Sequence, residues 1–334
     1  MNEIYALGTF TQASEARWPG VVRNGKVARL ADLIPDAPGD LGTVFAQWEV
    51  WGPRIDAAVS AASDAEWQNE ADLVAHLPYK PEDLYGAGAN YRQHVIELIV
   101  DSGAGGVEHL SRQERHAHGV AEMDRRAASG KPFVWVALRS SIAGPARTLV
   151  LPHDVTQPDW ELELAVVIGK AARRVSVDDA LGHVAGYTIA NDVTARELVS
   201  RSDLKSLGMD WMASKGSPGF KIIGPYITPA RFVPDPQALT IRLSLNGQVM
   251  QDGGTDDMIF GVAKIVSFVS MHTQLQPGDI IMTGSPSGNG THYGRFLRDG
   301  DEMVGEIDGL LGAQRVRCAA ETLAAAAHPA KAEA

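Results

Sequence analysis

The sequence predicts a fold of mixed strands and helices. Two Asn-Gly pairs, Asn24-Gly25 and Asn246-Gly247, lie between strand-like segments, and this pair favours the positive φ angles of a type I′ hairpin turn. Residues 159–170 contain an apolar run typical of a buried strand. Residues 256–275 have apolar side chains at helical spacing and stop before Pro277-Gly278, which predicts a core helix.

Composition limits the classes of partner and compartment. The chain has 334 residues, and its net charge of -11 without any basic block argues against nucleic acid or anionic membrane as partners. Cys318 is the only cysteine, which excludes a disulfide framework and a thiolate metal site. The first residues lack the features of a signal peptide, and no apolar run reaches the roughly 18 residues of a membrane span. We therefore expect a soluble, cytoplasmic protein.

We expect three regions along the chain. Residues 1–80 end near Pro78 and Pro81, and they are expected to form a small N-terminal domain that packs on the rest. Residues 81–319 form the second and larger domain. The Ala-rich residues 320–334 are expected to be a frayed tail without function.

Two carboxylates interrupt the apolar run of residues 159–170. Side chains alternate faces along a strand, so Glu161 and Glu163 are expected on one face. Asp192 ends the next strand-like run, and if it lies beside the pair, three carboxylates meet without thiolate or imidazole. This oxygen-only set favours Mg²⁺, Mn²⁺ or Ca²⁺ over structural zinc. The alternative, equally weighted on spacing alone, is that both glutamates lie on the solvated face of a half-exposed strand.

A glycine-spaced turn, residues 85–91, leads into a helix-like run for which Asn90 is a candidate N-cap. His94 and Glu97 are three residues apart and share a face of this helix. A carboxylate beside an imidazole orients the ring and raises its basicity for proton transfer from water. A surface pair is the alternative, and it is favoured when this spacing is taken alone.

Three further segments surround these candidates. The charged, His-rich residues 107–130 predict a solvated helix or a flap that covers the site. Lys215 lies among small residues, and a solvated loop charge is its default interpretation. The loop of residues 283–290 has glycines and hydroxyl groups that suit close approach to a ligand.

Taken together, these segments resemble the fumarylacetoacetate hydrolase family over residues 84–316. The resemblance rests on many motifs in family order, although each is weak alone. They are Gly86-x-Gly88-x-Asn90-Tyr91, His94-x-x-Glu97, Asp159-Trp-Glu-Leu-Glu163-Leu, Gly186-Tyr-Thr-x-x-Asn-Asp192-Val-Thr-Ala-Arg196, Lys215 and Thr283-Gly-Ser-Pro-Ser-Gly288. The first residues resemble the variable leading domain of many members.

The resemblance implies a mainly β fold with some α-helix, a mixed β-sandwich roll, and a homodimer. It implies that Glu161, Glu163 and Asp192 bind Mg²⁺ or Mn²⁺, with Ca²⁺ also possible. It further implies that His94 and Glu97 form a water-activating pair and that Lys215 is a cation near the reacting carbonyl. The groups implied to contact substrate are Arg196, Ser285 and Thr283.

Two departures from the family pattern bear on substrate identity. Val136-Ala137-Leu138 stands where members often have a lysine, and Gly216-Ser217-Pro218 replaces a common Ser-Phe-Asp. We expect a small-molecule substrate and hydrolysis of a carbon-carbon bond in a 2,4-dioxo acid. The alternatives are an oxaloacetate decarboxylase, a hydratase or isomerase of a related 2-oxo acid on the same metal site, and a non-catalytic metal-binding member. The presence of both His94 and Glu97 argues against the last.

Overall fold

A computed structural model describes residues 3–12, 15–63, 66–103, 106–201, 203 and 208–322. Most of the predicted tail, from residue 323 onward, lies outside the described residues. The described chain has an α+β fold with one large mixed sheet, a second sheet that is antiparallel except for the parallel pair β19-β9, and peripheral helices. The described chain contains similar shares of helix and strand, and the buried strand that the sequence predicts is present.

The strands follow one another along the whole described chain. They are β1 (Ala6–Thr11), β2 (Trp18–Arg23), β3 (Lys26–Arg29), β4 (Gln68–Asn69), β5 (Val74–Ala75), β6 (Leu84–Gly88), β7 (Phe133–Val136), β8 (Ile142–Ala143), β9 (Leu149–Leu151), β10 (Pro158–Asp159), β11 (Leu162–Ile168), β12 (Val184–Asp192), β13 (Thr194–Ala195), β14 (Lys221–Pro229), β15 (Thr240–Leu245), β16 (Gln248–Gly254), β17 (Ile280–Met282), β18 (Glu302–Ile307) and β19 (Gln314–Ala320).

The helices lie between these strands and vary widely in length. They are α1 (Leu30–Leu33), α2 (Leu41–Ala46), α3 (Trp48–Ala61), α4 (Arg92–Ser102), α5 (Arg112–Ser129), α6 (Val177–Ala180), α7 (Trp211–Lys215), α8 (Val262–His272) and α9 (Gly290–Tyr293). The predicted core helix is α8, whose residues are largely buried. None of the described helices is both long and apolar enough to span a membrane.

The large sheet places β11 and β12 near its centre, in the order β4-β3-β2-β1-β14-β12-β11-β17-β6-β7. Strand β1 pairs with β14, so the first 80 residues extend the same sheet as the rest of the chain. The proposed division at residue 80 stays a prediction. The second sheet has the order β16-β15-β18-β19-β9.

Both predicted hairpin turns are present. Asn24 and Gly25 have φ angles of 49° and 68°, and Asn246 and Gly247 have φ angles of 51° and 82°. Positive φ at both central positions is what a type I′ turn requires, and asparagine and glycine adopt it at the lowest cost. These turns connect β2 to β3 and β15 to β16.

Strand β11 separates two hydrophobic cores because its side chains alternate. Leu162 and Leu164 face a core shared with α8 and the second sheet. Ala165 and Val167 face the other core, which includes residues of α2, α3 and the N-terminal strands. Every residue of β11 is buried, as expected for a strand covered on both faces.

Candidate metal centre and active site

Neighbouring strands bring three carboxylates together. Glu161 directly precedes β11, Glu163 lies within it, and Asp192 ends β12, whose Asn191 is in register with Leu162. The Asp192 amide donates to the Glu161 carbonyl over 2.8 Å, which holds the two strand ends side by side. One oxygen from each carboxylate lies within 4.8 Å of the others. We call these residues the carboxylate triad.

Burial distinguishes the carboxylate triad from a solvated strand face. Glu161, Glu163 and Asp192 are only 7%, 3% and 2% exposed. Carboxylates so deeply buried must be paired, neutralised or bound to a cation. The alternative of a half-exposed strand is therefore wrong.

Lys215 supplies part of the compensating charge. Its ammonium donates to Glu161 Oε2 and Thr194 Oγ1, each over 2.7 Å, and to Asp192 Oδ2. These contacts occupy all three ammonium donors. Burial alone would lower the pKa of Lys215, but Asp192 and Glu161 outweigh it and raise the pKa. The lysine is thus a buried cation and not a solvated loop charge.

Lys221 is a second buried lysine at the triad, which we had not singled out in the sequence. Its ammonium lies 2.7 Å from Asp192 Oδ1 and donates to the Val193 carbonyl over 3.1 Å. Burial lowers its pKa to about 8, despite the neighbouring Asp192. The signal that could have indicated Lys221 is that this lysine interrupts an apolar run, residues 220–223. That run includes the first residues of β14, whose residues are all buried.

The triad retains features that suit a divalent cation. Burial, followed by the charges of Asp192 and Glu161, raises the pKa of Glu163 well above its usual range. Asp192 Oδ1 is buried, and among the described residues it lacks a partner with hydrogen-bond geometry, although Lys221 is close. Three hard oxygen donors, one of them unsatisfied, match the ligands of Mg²⁺, Mn²⁺ or Ca²⁺. Glu161, Glu163 and Asp192 are therefore the residues that could hold such an ion.

Arg196 lies at the edge of the triad and links it to α9. Its guanidinium donates to Glu161 Oε1 over 2.6 Å and to Asp159 Oδ2 over 2.8 Å. Asp159 is fully buried and also accepts hydrogen bonds from the amides of Gly290 and Thr291. Burial alone would raise the pKa of Glu161, but Arg196 and Lys215 outweigh it and lower the pKa. Asp159 had no assigned role in our sequence analysis.

His94 lies on the first turn of α4 and is buried. Its Nδ1 is 3.5 Å from the amide nitrogen of Asn289, a side chain that is 1% exposed. Burial, assisted by the nearby charge of Arg196, lowers the pKa of His94 to about 4. The imidazole is therefore neutral at neutral pH and able to accept a proton. Asn289 occurs in the predicted ligand loop, but nothing in the sequence paired it with His94.

Glu97 lies on α4 three residues after His94. Both side chains reach the same short segment: His94 meets Asn289, whereas Glu97 Oε2 lies 3.7 Å from His292 Nδ1. Asp101 also contacts this imidazole, over 3.2 Å. We call Glu97, Asp101 and His292 the outer cluster. Within the described residues, no hydrogen bond joins His94 to Glu97, and Glu97 Oε2 is buried without a hydrogen-bond partner.

The ligand loop has both structural and cavity-lining residues. Thr283 Oγ1 donates to the Leu164 carbonyl, and Asn90 binds the Phe260 and Thr283 backbones instead of capping α4. Ser285 Oγ accepts from Gln251 Nε2 over 2.8 Å. Ser285 lines the cavity beside the triad, whereas Thr283 is not among the described lining residues. The geometry therefore favours Ser285 over Thr283 as a substrate contact.

A cavity of about 210 Å³ connects these groups. The carboxylate triad, His94, Arg196 and Lys215 line one part of it, and apolar side chains line another. This volume is below the roughly 300–1,000 Å³ of pockets that take drug-sized ligands, so it suits a small metabolite. The predicted flap contributes differently: α5 is a capped helix that packs on α4, and none of its residues is among the described lining residues.

The chain is similar to known proteins over about half of its length. The chain is 42% identical over 188 residues to 2,4-didehydro-3-deoxy-L-rhamnonate hydrolase of Sphingomonas sp. (strain SKA58), covering 55% of this chain and 64% of that protein. It is 39% identical over 182 residues to the human mitochondrial oxaloacetate tautomerase FAHD2A, covering 54% of this chain and 57% of that protein. The match thus spans about three fifths of these relatives.

A solved structure and a family model extend the comparison. The crystal structure of a putative HpcE protein from Mycobacterium smegmatis superimposes with a TM-score of 0.74 at 26% identity, covering 96% of this chain and 100% of that one. The model for the C-terminal part of fumarylacetoacetate (FAA) hydrolase matches residues 83–318, which is more than half of the chain. The relatives of this chain described above are enzymes, one named as a hydrolase and one as a tautomerase. The chain therefore belongs to the fumarylacetoacetate hydrolase family.

Proposed function

We propose that this chain is a metal-dependent hydrolase that cleaves a carbon-carbon bond in a 2,4-dioxo acid, giving a 2-oxo acid and a carboxylic acid. The observation that carries the proposal is one small cavity lined by both the carboxylate triad and the neutral imidazole of His94. Similarity to a relative named as a hydrolase of a 2,4-didehydro sugar acid supports the same reaction class.

The substrate is a bifunctional acid, and the triad suits one end of it. A divalent cation held by Glu161, Glu163 and Asp192 would bind the carboxylate and 2-oxo oxygens and stabilise negative charge on the latter. Arg196 and Ser285 line the same cavity as the triad. Their contacts with the rest of the substrate would fix the position of the 4-oxo carbon. Such fixed placement lowers the entropic part of the barrier.

His94 is the proposed general base. It accepts a proton from water, and the resulting hydroxide adds to the 4-oxo carbon; the bond between C3 and C4 then breaks, and C3 takes up a proton. Because Asn289 meets Nδ1, this amide selects which ring nitrogen carries the proton in the neutral imidazole. As oriented in this structure, the Asn289 amide N–H donates to Nδ1, which places the proton of the neutral imidazole on Nε2; proton transfer to Nε2 requires the opposite orientation of the amide, with its oxygen accepting from Nδ1–H.

Glu97 is the proposed partner that raises the basicity of His94. Residues three apart on a helix are neighbours, so a change in side-chain rotamer would bring Glu97 to the imidazole without moving the helix axis. Its buried, unsatisfied Oε2 supports this role, because such an atom is costly to keep unpaired. Lys215 is the proposed stabiliser of the oxyanion, and one of its three donors must leave a carboxylate or Thr194 to do so.

Oxaloacetate tautomerisation, or decarboxylation, is the second candidate. It is favoured by the 39% identity to a relative named as an oxaloacetate tautomerase. Tautomerisation forms the enolate by transferring a proton from C3 to an acceptor, and decarboxylation forms it by loss of CO₂; neither reaction requires an activated water. Attack by water on the 4-oxo carbon therefore separates the two proposals.

The test compares 2,4-dioxo acids with oxaloacetate in the presence of Mg²⁺ or Mn²⁺. We expect release of pyruvate and a carboxylic acid from the dioxo acid, and a loss of about 10² to 10⁴-fold in this turnover in His94→Ala, the usual contribution of general base catalysis. His118→Ala, on the exposed face of α5, is the matched control and should retain wild-type turnover. If wild type cleaves no 2,4-dioxo acid yet converts oxaloacetate, the second candidate replaces the first.

A further inference from the structure

The part of the cavity away from the triad is apolar and includes two aromatic side chains. It is lined by Leu98, Phe133, Val199, Met209 and Trp211. Phe133 packs on Trp211 with ring centroids 5.6 Å apart, and Trp135 also stacks on Trp211, with ring centroids 6.0 Å apart and an interplanar angle of 11°. We call these five lining residues the apolar wall. The ring contacts hold Phe133 and Trp211 against each other at the edge of the cavity.

The cations that line the cavity are already paired. Arg196 is held by Asp159 and Glu161, and Lys215 is held by Glu161 and Asp192. Among the described lining residues, these two are the only lysine or arginine side chains. The apolar wall itself offers no positively charged group to a second substrate carboxylate.

We propose that the acyl group of the substrate, the part beyond the 4-oxo carbon, is uncharged and mainly apolar. This inference rests on the proposed function and specifies its substrate class: monocarboxylic 2,4-dioxo acids are accepted, and 2,4-dioxo diacids are discriminated against. The substrate carboxylate and 2-oxo oxygen belong to the triad end of the cavity, which leaves the acyl group to contact the apolar wall.

The physical reason is the asymmetric cost of burial. A terminal methyl group on the wall is removed from water and makes favourable contacts. A terminal carboxylate against the same five side chains loses part of its hydration and gains no cation from Leu98, Phe133, Val199, Met209 or Trp211.

The experiment uses two acids that differ only at the end of the acyl chain. These are 2,4-dioxoheptanoate, which ends in a methyl group and yields butanoate, and 2,4-dioxoheptanedioate, which ends in a carboxylate and yields succinate. With Mn²⁺ present, we expect the wild-type kcat/KM to favour the monoacid by at least about 10-fold, the lower end of what pocket shape and polarity usually provide.

A single added cation should reduce this preference. Phe133→Arg places a guanidinium on the apolar wall. The Phe133 side chain is 46% exposed, so this substitution should leave folding intact. We expect kcat/KM for the diacid to rise relative to kcat/KM for the monoacid. Val136→Arg is the matched control, because Val136 belongs to the same strand and is 63% exposed but does not line the cavity. Its ratio should equal that of wild type.

Failure of this inference is distinguishable from failure of the proposed function. Cleavage of both acids with equal or higher kcat/KM for the diacid overturns the specificity and leaves the hydrolase intact. Cleavage of neither acid overturns the hydrolase. Calorimetric titration of both acids into the Mn²⁺-loaded protein then decides the specificity by itself: tighter binding of the monoacid supports the apolar acyl site, and equal or weaker binding overturns it.

Discussion

Two carboxylate-rich regions of this protein, the carboxylate triad and the outer cluster, differ in how their charges are compensated. In the carboxylate triad, Glu161, Glu163 and Asp192 are buried, and so are the lysines that contact them. In the outer cluster, the side chains of Glu97, Asp101 and His292 are 19%, 21% and 35% exposed. Water therefore reaches the second region and is excluded from most of the first.

The difference shows that proximity of charges does not by itself make a site. In the triad, desolvation is so costly that each carboxylate must be matched by a cation or neutralised, which gives every partner a large energetic role. In the outer cluster, apart from the buried Oε2 of Glu97, solvent screens the charges, so that single ion pairs contribute little. Removing matched groups from the two regions should therefore have very different consequences.

The largest difference is expected in metal binding. The double variant Glu161→Ala with Glu163→Ala should lose more than about 100-fold in Mn²⁺ affinity, because residues that merely support metal ligands already contribute about 10 to 100-fold. The matched control removes two carboxylates from the outer cluster, in Glu97→Ala with Asp101→Ala, and should bind Mn²⁺ like wild type. Elemental analysis and calorimetry measure both. Full occupancy in the triad variant would refute the metal centre.

Buried and exposed ion pairs should differ in their contribution to stability. Lys221→Met leaves Asp192 Oδ1 buried beside an apolar side chain, and it should lower the free energy of unfolding of the metal-free protein by about 3–5 kcal/mol. Arg112→Met removes an ion-pair partner of Asp101, and the Arg112 side chain is 74% exposed. This variant should change the free energy of unfolding by less than about 0.5 kcal/mol. Urea unfolding compares the two. Equal losses would contradict the contrast between the regions.

The smallest effect tests whether Glu97 leaves the outer cluster during turnover. Glu97→Gln should lower turnover of a 2,4-dioxo acid by about 10²-fold, through lost basicity of His94, without changing Mn²⁺ affinity. Asp101→Asn is the matched control, since Asp101 lies on the same helix and contacts the same imidazole, and it should turn over like wild type. Wild-type turnover in both variants would remove Glu97 from the mechanism.

Much of this arrangement follows from local rules. The two type I′ turns follow from Asn-Gly pairs, and the common face of Glu161 and Glu163 follows from the two-residue period of a strand. The common face of His94 and Glu97 follows from helical periodicity. The fold class also follows, because the apolar runs and family motifs occur in one order along the chain.

The sequence by itself therefore determined which carboxylates could share a site and which family the chain resembles. Only the tertiary structure decided how those charges are compensated. Lys215 meets Glu161 across 54 residues, and Asn289 meets His94 across 195. Contacts at such separations depend on how whole sheets and helices pack, whereas strand and helix periodicities act over a few residues. For this reason the sequence indicated His94 and Glu97 as a pair, and packing placed Asn289 and His292 against them.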